Sequence, residues 1–344
     1  MSLSTARALA ATVAATVTGG AVGVALILPV APAHALGTDR TLFPHTWVTT
    51  STPTTGSCTR LSPSVAPSLS WNTNNVPVTS TVRAAAKTTY SGNSADVIDA
   101  SVASSATVRA TPILASGGRI SYAGSASISG TPRLAKSACS MTVEHYIDAD
   151  GAFTVPVGMW AVFSGSARTT TGASVSMVLY NGPGSGPGLS LSGPNTTGSM
   201  TTFLPAGSYQ IGGEISTRAS SSQAGVAARA FGASASGSIT VTFIPGGAAS
   251  AVAGKGRKYV ALGGRSCTTN AVSATITKAG RTKAKKIVLR VNGATKASLK
   301  GAKLRRTGAR TLPVAAGSAA TVSAVITLKS GKKVTATRSY RACR

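Results

Sequence analysis

The chain is short of acid, of aromatic rings and of the motifs that mark catalysis. Its 344 residues hold 7 Asp and Glu against 34 Lys and Arg, a formal net charge of +27. Aromatics make up 5% and charged residues 12% of the composition, too little of either for a coiled coil or an ordinary helical enzyme. No HExxH, P-loop, GxSxG or GxGxxG spacing occurs, so the metalloprotease, nucleotide-binding and hydrolase classes built on those spacings are not indicated. The four cysteines, Cys58, Cys139, Cys267 and Cys343, lack CxxC spacing, which argues against zinc or dithiol redox chemistry. No enzyme, cofactor or metal is expected from this inventory. With 42% hydrophobic residues, the chain can still bury cores, and wholesale disorder is excluded.

Arg7 is the only charge before Asp39, and the uncharged stretch that follows it ends in Ala33-His34-Ala35. This is the pattern of a signal peptide, residues 1–35, removed near Ala35. The mature protein is then expected to be secreted or associated with the cell envelope. An even number of cysteines in an exported chain implies disulfides, and three pairings are possible. Pairing of neighbours, Cys58 with Cys139 and Cys267 with Cys343, is the economical one and places one bridge in each half.

Residues 36–80 are rich in Ser, Thr and Pro, with Pro44, Pro53, Pro63, Pro67 and Pro77 interrupting any long helix or central strand. They are expected to form an extended lead-in, with Trp47, Leu69 and Trp71 packing on the next domain. From 81 to 245, short runs with a period of two recur between Gly and Ser turns, the pattern of a β-sandwich. Met141, Val143, His145 and Ile147 alternate with Thr142, Glu144 and Tyr146, and Ile239, Val241 and Phe243 alternate with Thr240 and Thr242. Residues 246–257 are expected to be a linker. In 258–344, Val272, Ala274 and Ile276, then Ile287, Leu289 and Val291, then Val322, Ala324, Ile326 and Leu328 alternate again. Asn292-Gly293 and Ser330-Gly331 sit where hairpin turns need positive φ. The expected fold class is all-β, with a jelly-roll-like sandwich followed by an immunoglobulin-like one.

Asp148-Ala-Asp-Gly-Ala-Phe-Thr-Val-Pro156, Trp160-Ala-Val-Phe163, Ser176-Met-Val-Leu-Tyr-Asn-Gly182, Leu204-Pro-Ala-Gly-Ser-Tyr209 and Ile239-Thr-Val-Thr-Phe243 follow one another between residues 148 and 244. This strand order resembles bacterial pre-peptidase C-terminal type sandwiches. The resemblance implies a noncatalytic accessory module. Ile287-Val-Leu-Arg-Val-Asn-Gly293 and the hairpin Ile326–Ala336 resemble Ig-like modules of actinobacterial secreted or surface proteins.

Charge is unevenly spread. Residues 36–254 hold 11 basic and 7 acidic side chains, whereas residues 255–344 hold 22 basic and none acidic. Lys278, Arg281, Lys283, Lys285, Lys286, Arg290, Lys296, Lys300, Lys303, Arg305, Arg306 and Arg310 fall within 33 residues. A solvated surface normally mixes both signs, so an all-basic one points to a polyanion. The expected partner is an anionic cell-wall polymer or acidic polysaccharide, with extracellular DNA or an anionic lipid surface as further forms of the same chemistry. Two tyrosines, Tyr259 and Tyr340, are the aromatics of this region, too few to stack bases.

The alternative function is a carbohydrate-binding accessory module in 81–245, with Trp160 and Tyr180 available to stack on sugar. A hydrolase would need a carboxyl pair such as Asp96 or Asp99 with Glu144. Asp148-Ala149-Asp150-Gly151 resembles the start of a calcium loop, but position 12 is Met159, so a plain turn is expected there. His145, on the apolar face of its strand, is expected to be a core histidine.

Overall fold

The computed structural model describes residues 40–51, 56–61, 63, 67–182, 186–222 and 226–344. The expected signal segment lies outside the described residues. The first sandwich consists of β1 (Thr41–Ser51), β2 (Cys58–Leu61), β3 (Leu69–Ser70), β4 (Val78–Tyr90), β5 (Asn93–Ala110), β6 (Gly118–Pro132), β7 (Ser140–Val155), β8 (Met159–Thr169), β9 (Ala173–Tyr180), β10 (Gly188–Leu191), β11 (Thr196–Leu204), β12 (Gly207–Ser220) and β13 (Phe231–Pro245). Its six-stranded sheet has the order β10-β9-β12-β7-β1-β3, and its seven-stranded sheet the order β11-β8-β13-β6-β5-β4-β2. All assigned pairs are antiparallel.

Strict alternation makes the layers. Along β7, Met141, Val143, His145, Ile147 and Ala149 are buried, while Thr142, Glu144, Tyr146, Asp148 and Asp150 are only partly so. The inward residues of the two sheets form a core around Phe163, Phe243, Ile147, Met177 and Tyr122, and a second cluster around Val48, Ile98, Met141 and Val143. A polar belt lies along the strands between Ile147 and Val143. Fully buried His145 meets Thr46 Oγ1 through Nδ1 at 2.7 Å and Ser104 Oγ through Nε2 at 2.7 Å, so it joins the two sheets. Both ring nitrogens are satisfied, which offsets the cost of burying them.

Two expectations need correction here. Residues 41–51 were expected in the lead-in, yet β1 pairs with β7 along its whole length, from Thr41↔Asp150 to Ser51↔Ser140. Pro44 is tolerated because, among the described residues, the far edge of β1 beyond Leu42 has no strand partner. The turn expected at Asp148–Gly151 is absent. Asp150 faces Thr41 on one side and Gly212 on the other, and these two ladders carry β7 straight through an Asp-Gly pair that would turn an unpaired chain.

The second sandwich contains β14 (Val260–Ser266), β15 (Ala271–Ile276), a short helix α1 (Lys278–Lys283), β16 (Ala284–Val291), β17 (Ala294–Lys300), a second short helix α2 (Gly301–Arg306), β18 (Ala309–Pro313), β19 (Ala320–Leu328) and β20 (Lys333–Tyr340). The sheets are β14-β15-β18 and β17-β16-β19-β20, an immunoglobulin-like arrangement with the fourth strand beside the third. Asn292 and Gly293 take φ of 50° and 81° and close the β16–β17 hairpin. Val260, Val272, Ile287, Leu289, Val322 and Ile326 fill the core. Buried Arg265 donates to the carbonyls of Ser318, Arg341 and Ala316, because residues 255–344 contain no carboxylate side chain to pair with it.

The expected linker lies against β20 as an irregular edge, with bridges at Ala249↔Tyr340 and Ala253↔Thr337. The disulfides are Cys58–Cys139 and Cys267–Cys343. Each closes a loop of about 80 residues, worth about 4.5 kcal/mol in the chain-entropy model. Replacing Cys267 and Cys343 with Ser should lower the unfolding free energy of the second sandwich by about 2–4 kcal/mol in a denaturant titration. The first sandwich, which keeps its own bridge, should show no matching loss.

Candidate binding surfaces

The outward side of the six-stranded sheet gathers the acids and aromatic rings that the sequence has so few of. Register places Trp47, Glu144 and Arg218 in one cross-strand row, and His45, Tyr146, Ser216 and Ser174 in the next. Phe43, Asp148, Glu214 and Ser176 follow, and then Thr41, Asp150, Gly212 and Val178. Four of the seven acids of the chain therefore share one sheet face. Adjacent strands are spaced at about 4.8 Å and same-face neighbours along a strand at about 6.7 Å, so these side chains form a regular grid.

The rings form a continuous group. His45 lies 5.9 Å from Phe43 and 5.0 Å from Tyr146, stacked with both, and 4.8 Å from Trp47. Trp47 is 53% exposed, against the tendency of so large an apolar surface to be covered. Beyond the acids, Tyr180 reaches across Gly212. A Cβ at that glycine would come within 3.2 Å of the Tyr180 ring and 3.3 Å of the Asp150 carboxyl, so the bare backbone makes room for the ring.

Polar contacts fix the acids. His45 Nδ1 lies 3.3 Å from Asp148 Oδ2, and Arg218 Nη1 lies 3.2 Å from Glu144 Oε1. Burial pushes the Asp148 carboxyl up to about 8, with added repulsion from Glu214 and Asp150. Burial also raises Glu214, with a smaller push from Asp150. Asp148 therefore keeps its proton to higher pH than a free carboxyl does. Burial raises Tyr146 to about 12, aided by Glu144.

Trp160 does not contribute to such a surface. It lies on the other sheet, edge-on to Phe203 at 5.3 Å, and its Nε1 donates to Ala342 O at 2.8 Å, so it seals the junction between the sandwiches. Asp96 accepts from Ala138 N, and Asp99 pairs with Arg133 at 2.7 Å. Both are on β5 in the opposite sheet from Glu144, so neither forms a carboxyl pair with it. Glu144 and His145 point to opposite faces of β7. Among the described residues, no group of three or more His, Cys, Asp or Glu is placed to hold a metal ion.

The twelve basic positions singled out from the sequence divide in two. Lys278, Arg281, Lys283, Lys285, Lys286, Lys300, Lys303, Arg305, Arg306 and Arg310 lie on or beside α1, α2 and the strand ends that meet them. Arg290 and Lys296 lie toward the opposite end, by the Asn292-Gly293 turn. That second end is where Gly247 N donates to Ala342 O and the first sandwich is joined.

Phe43, His45 and Trp47 were missed as site residues because the prolines around them suggested a lead-in. A signal was present: they alternate with Leu42, Pro44, Thr46 and Val48, which is the period of a two-faced strand.

No protein-family model matches the chain, and no curated protein sequence matches it. Among solved structures, it is similar to TmCBM61 in complex with β-1,4-galactotriose, at 12% identity over 38% of this chain and 86% of that one, with a TM-score of 0.17. It is also similar to the adhesin domain of Epf from Streptococcus pyogenes, at 11% identity over 64% of this chain and 79% of that one, with a TM-score of 0.18. Likenesses this weak carry no argument about function, and the resemblances noted in residues 148–244 and 258–344 extend to β-sandwich architecture and no further. The two disulfides suit an oxidising, extracytoplasmic setting.

Two perturbed groups of β7, inward His145 and outward Asp148, act in opposite directions with pH. His145 is lowered from 6.5 to about 4 by burial and the nearby His45, so its contribution to stability is full above 6.5 and lost as pH falls toward 4. Asp148 is raised from 3.8 to about 8, so its contribution is full below about 4 and lost as pH rises toward 8. Asp148→Asn should reduce the second decline, leaving the part due to Glu214, and should leave the first, as measured by denaturant unfolding across this pH range.

Proposed function

We propose that this is an exported, noncatalytic binding protein whose first sandwich recognises carbohydrate on the outward side of its six-stranded sheet. The observation that carries this is the ring group of Phe43, His45, Tyr146 and Trp47 beside a grid of carboxyls and hydroxyls. Sugar rings offer apolar C–H faces to aromatic side chains and hydroxyls to carboxyl groups, and this surface offers both partners side by side. An open sheet face suits a polysaccharide lying along the strands better than a small molecule enclosed in a cavity. Arg218 beside Glu144 and His45 beside Asp148 keep the patch from being fully anionic, which favours a neutral glycan. Removal of a leader ending at Ala35 would leave five residues between the new N-terminus and β1, which carries part of this surface.

The test is affinity electrophoresis or calorimetry of the mature chain against neutral polysaccharides, with cellulose, xylan and β-1,4-galactan as probes. Trp47→Ala should weaken binding to the retained polysaccharide by about five- to tenfold, the loss expected for one stacking ring, while melting at the same temperature. Trp160→Ala should leave affinity unchanged and lower the melting temperature. Retention of none of the probes, or equal retention of the Trp47 variant, would reject the proposal.

A further inference from the structure

Most of the cations of the second sandwich are gathered at the end away from the first. The chain enters at the junction, runs beside β20 and reaches a single 3₁₀ turn at Lys255–Lys258. There Thr277 Oγ1 donates to Lys258 O at 2.7 Å, just before α1, and Lys329 N donates to Lys283 O at 2.9 Å, just after it. α1 touches α2. The far end is thus assembled from four separate chain segments, each bringing exposed Lys or Arg.

On the adjoining sheet, register sets Lys300 directly opposite Lys286, then Thr327, then Lys333 in one row across β17, β16, β19 and β20. All three lysines are exposed. Like charges on facing residues repel, with Cβ atoms about 5 Å apart, and no acidic side chain exists anywhere in residues 255–344 to relieve them. The large exposed apolar side chains, Trp47, Leu61, Val76, Leu114, Val157 and Val226, all belong to the first sandwich. The cationic end therefore has nothing to insert into a bilayer and no exposed ring for a base or sugar.

We infer that this far end is a docking site for a linear, phosphate-bearing polymer, with the Lys300–Lys286–Lys333 row and the cations of α2 holding successive phosphates. Ammonium groups this closely set call for anions at comparable spacing. Binding releases the counterions condensed on such a polymer and so weakens steeply with salt. The site is independent of the carbohydrate surface, which lies on the other sandwich and carries the opposite charge.

The test uses the mature chain and long-chain inorganic polyphosphate, with affinity measured over a series of salt concentrations. Lys286→Ser with Lys300→Ser and Lys333→Ser should weaken binding at least tenfold and reduce the slope of log affinity against log salt by about 2. An equal charge removed near the junction, Arg290→Ser with Lys296→Ser and Arg344→Ser, should cost less than about threefold, since those groups lie outside the contact. Should the first set disturb the sheet, Lys303→Ser with Arg305→Ser and Arg306→Ser on α2 probes the same end. Equal loss from the two ends would mean diffuse attraction without a site and would overturn the inference. So would capture by phosphatidylglycerol vesicles or by alginate at a salt concentration where polyphosphate is released.

Discussion

The pairing of β7 with β1 on one side and β12 on the other is the constraint on which the first sandwich depends. A strand of 16 residues held along both edges has no freedom to slip, because a shift of one residue exchanges its faces. Slippage would carry Glu144, Asp148 and Asp150 into the core and put Met141, Val143 and Ile147 in water. The same alternation that buries the apolar face thus sets out the rings and acids on the other. His145 belongs to the buried set, and its two hydroxyl partners reward only the register in which Thr46 and Ser104 face it. A polar group in a core is costly when it is misplaced, so this belt adds specificity to a sandwich whose other inward residues are largely interchangeable in chemistry.

Much of this was legible in the sequence. The alternation of Met141 to Ile147 and of Ile239 to Phe243 gave strands and their buried faces directly, and Asn292-Gly293 marked a hairpin turn. Cysteine order suggested the economical pairing, which is the one present. What could not be read locally was set by partners distant in sequence. Asp150-Gly151 looks like a turn until Thr41 and Gly212 are found on either side of it. Pro44 looks like a strand breaker until it is seen on a stretch whose outer edge is free. The aromatic surface combines β1 with β7, roughly a hundred residues apart, and no periodicity within either strand announces that its polar side faces the other's rings. The basic cluster was visible as composition, but its division between two ends required the topology.

The two modules solve the burial of charge in different ways. In the first, carboxyls crowded together are relieved by Arg218 and by His45. In the second there are no acids, so Arg265 relies on carbonyl oxygens and the remaining cations stay in water, where screening tempers their repulsion. Such separation keeps the carboxyls of the first sandwich and the cation cluster of the second on different modules. The structure is thus electrically polar along its length.

The bond from Trp160 to the Ala342 carbonyl has an optical consequence. Trp71 is buried deep in the first sandwich and Trp47 stands in solvent, so Trp160 is the indole whose surroundings change if the modules part. Because Cys343, next to Ala342, is covalently held to Cys267, the carbonyl that Trp160 meets is fixed to the body of the second sandwich. The emission of one native side chain can then report whether the molecule moves as a single rod or as two beads, without any label.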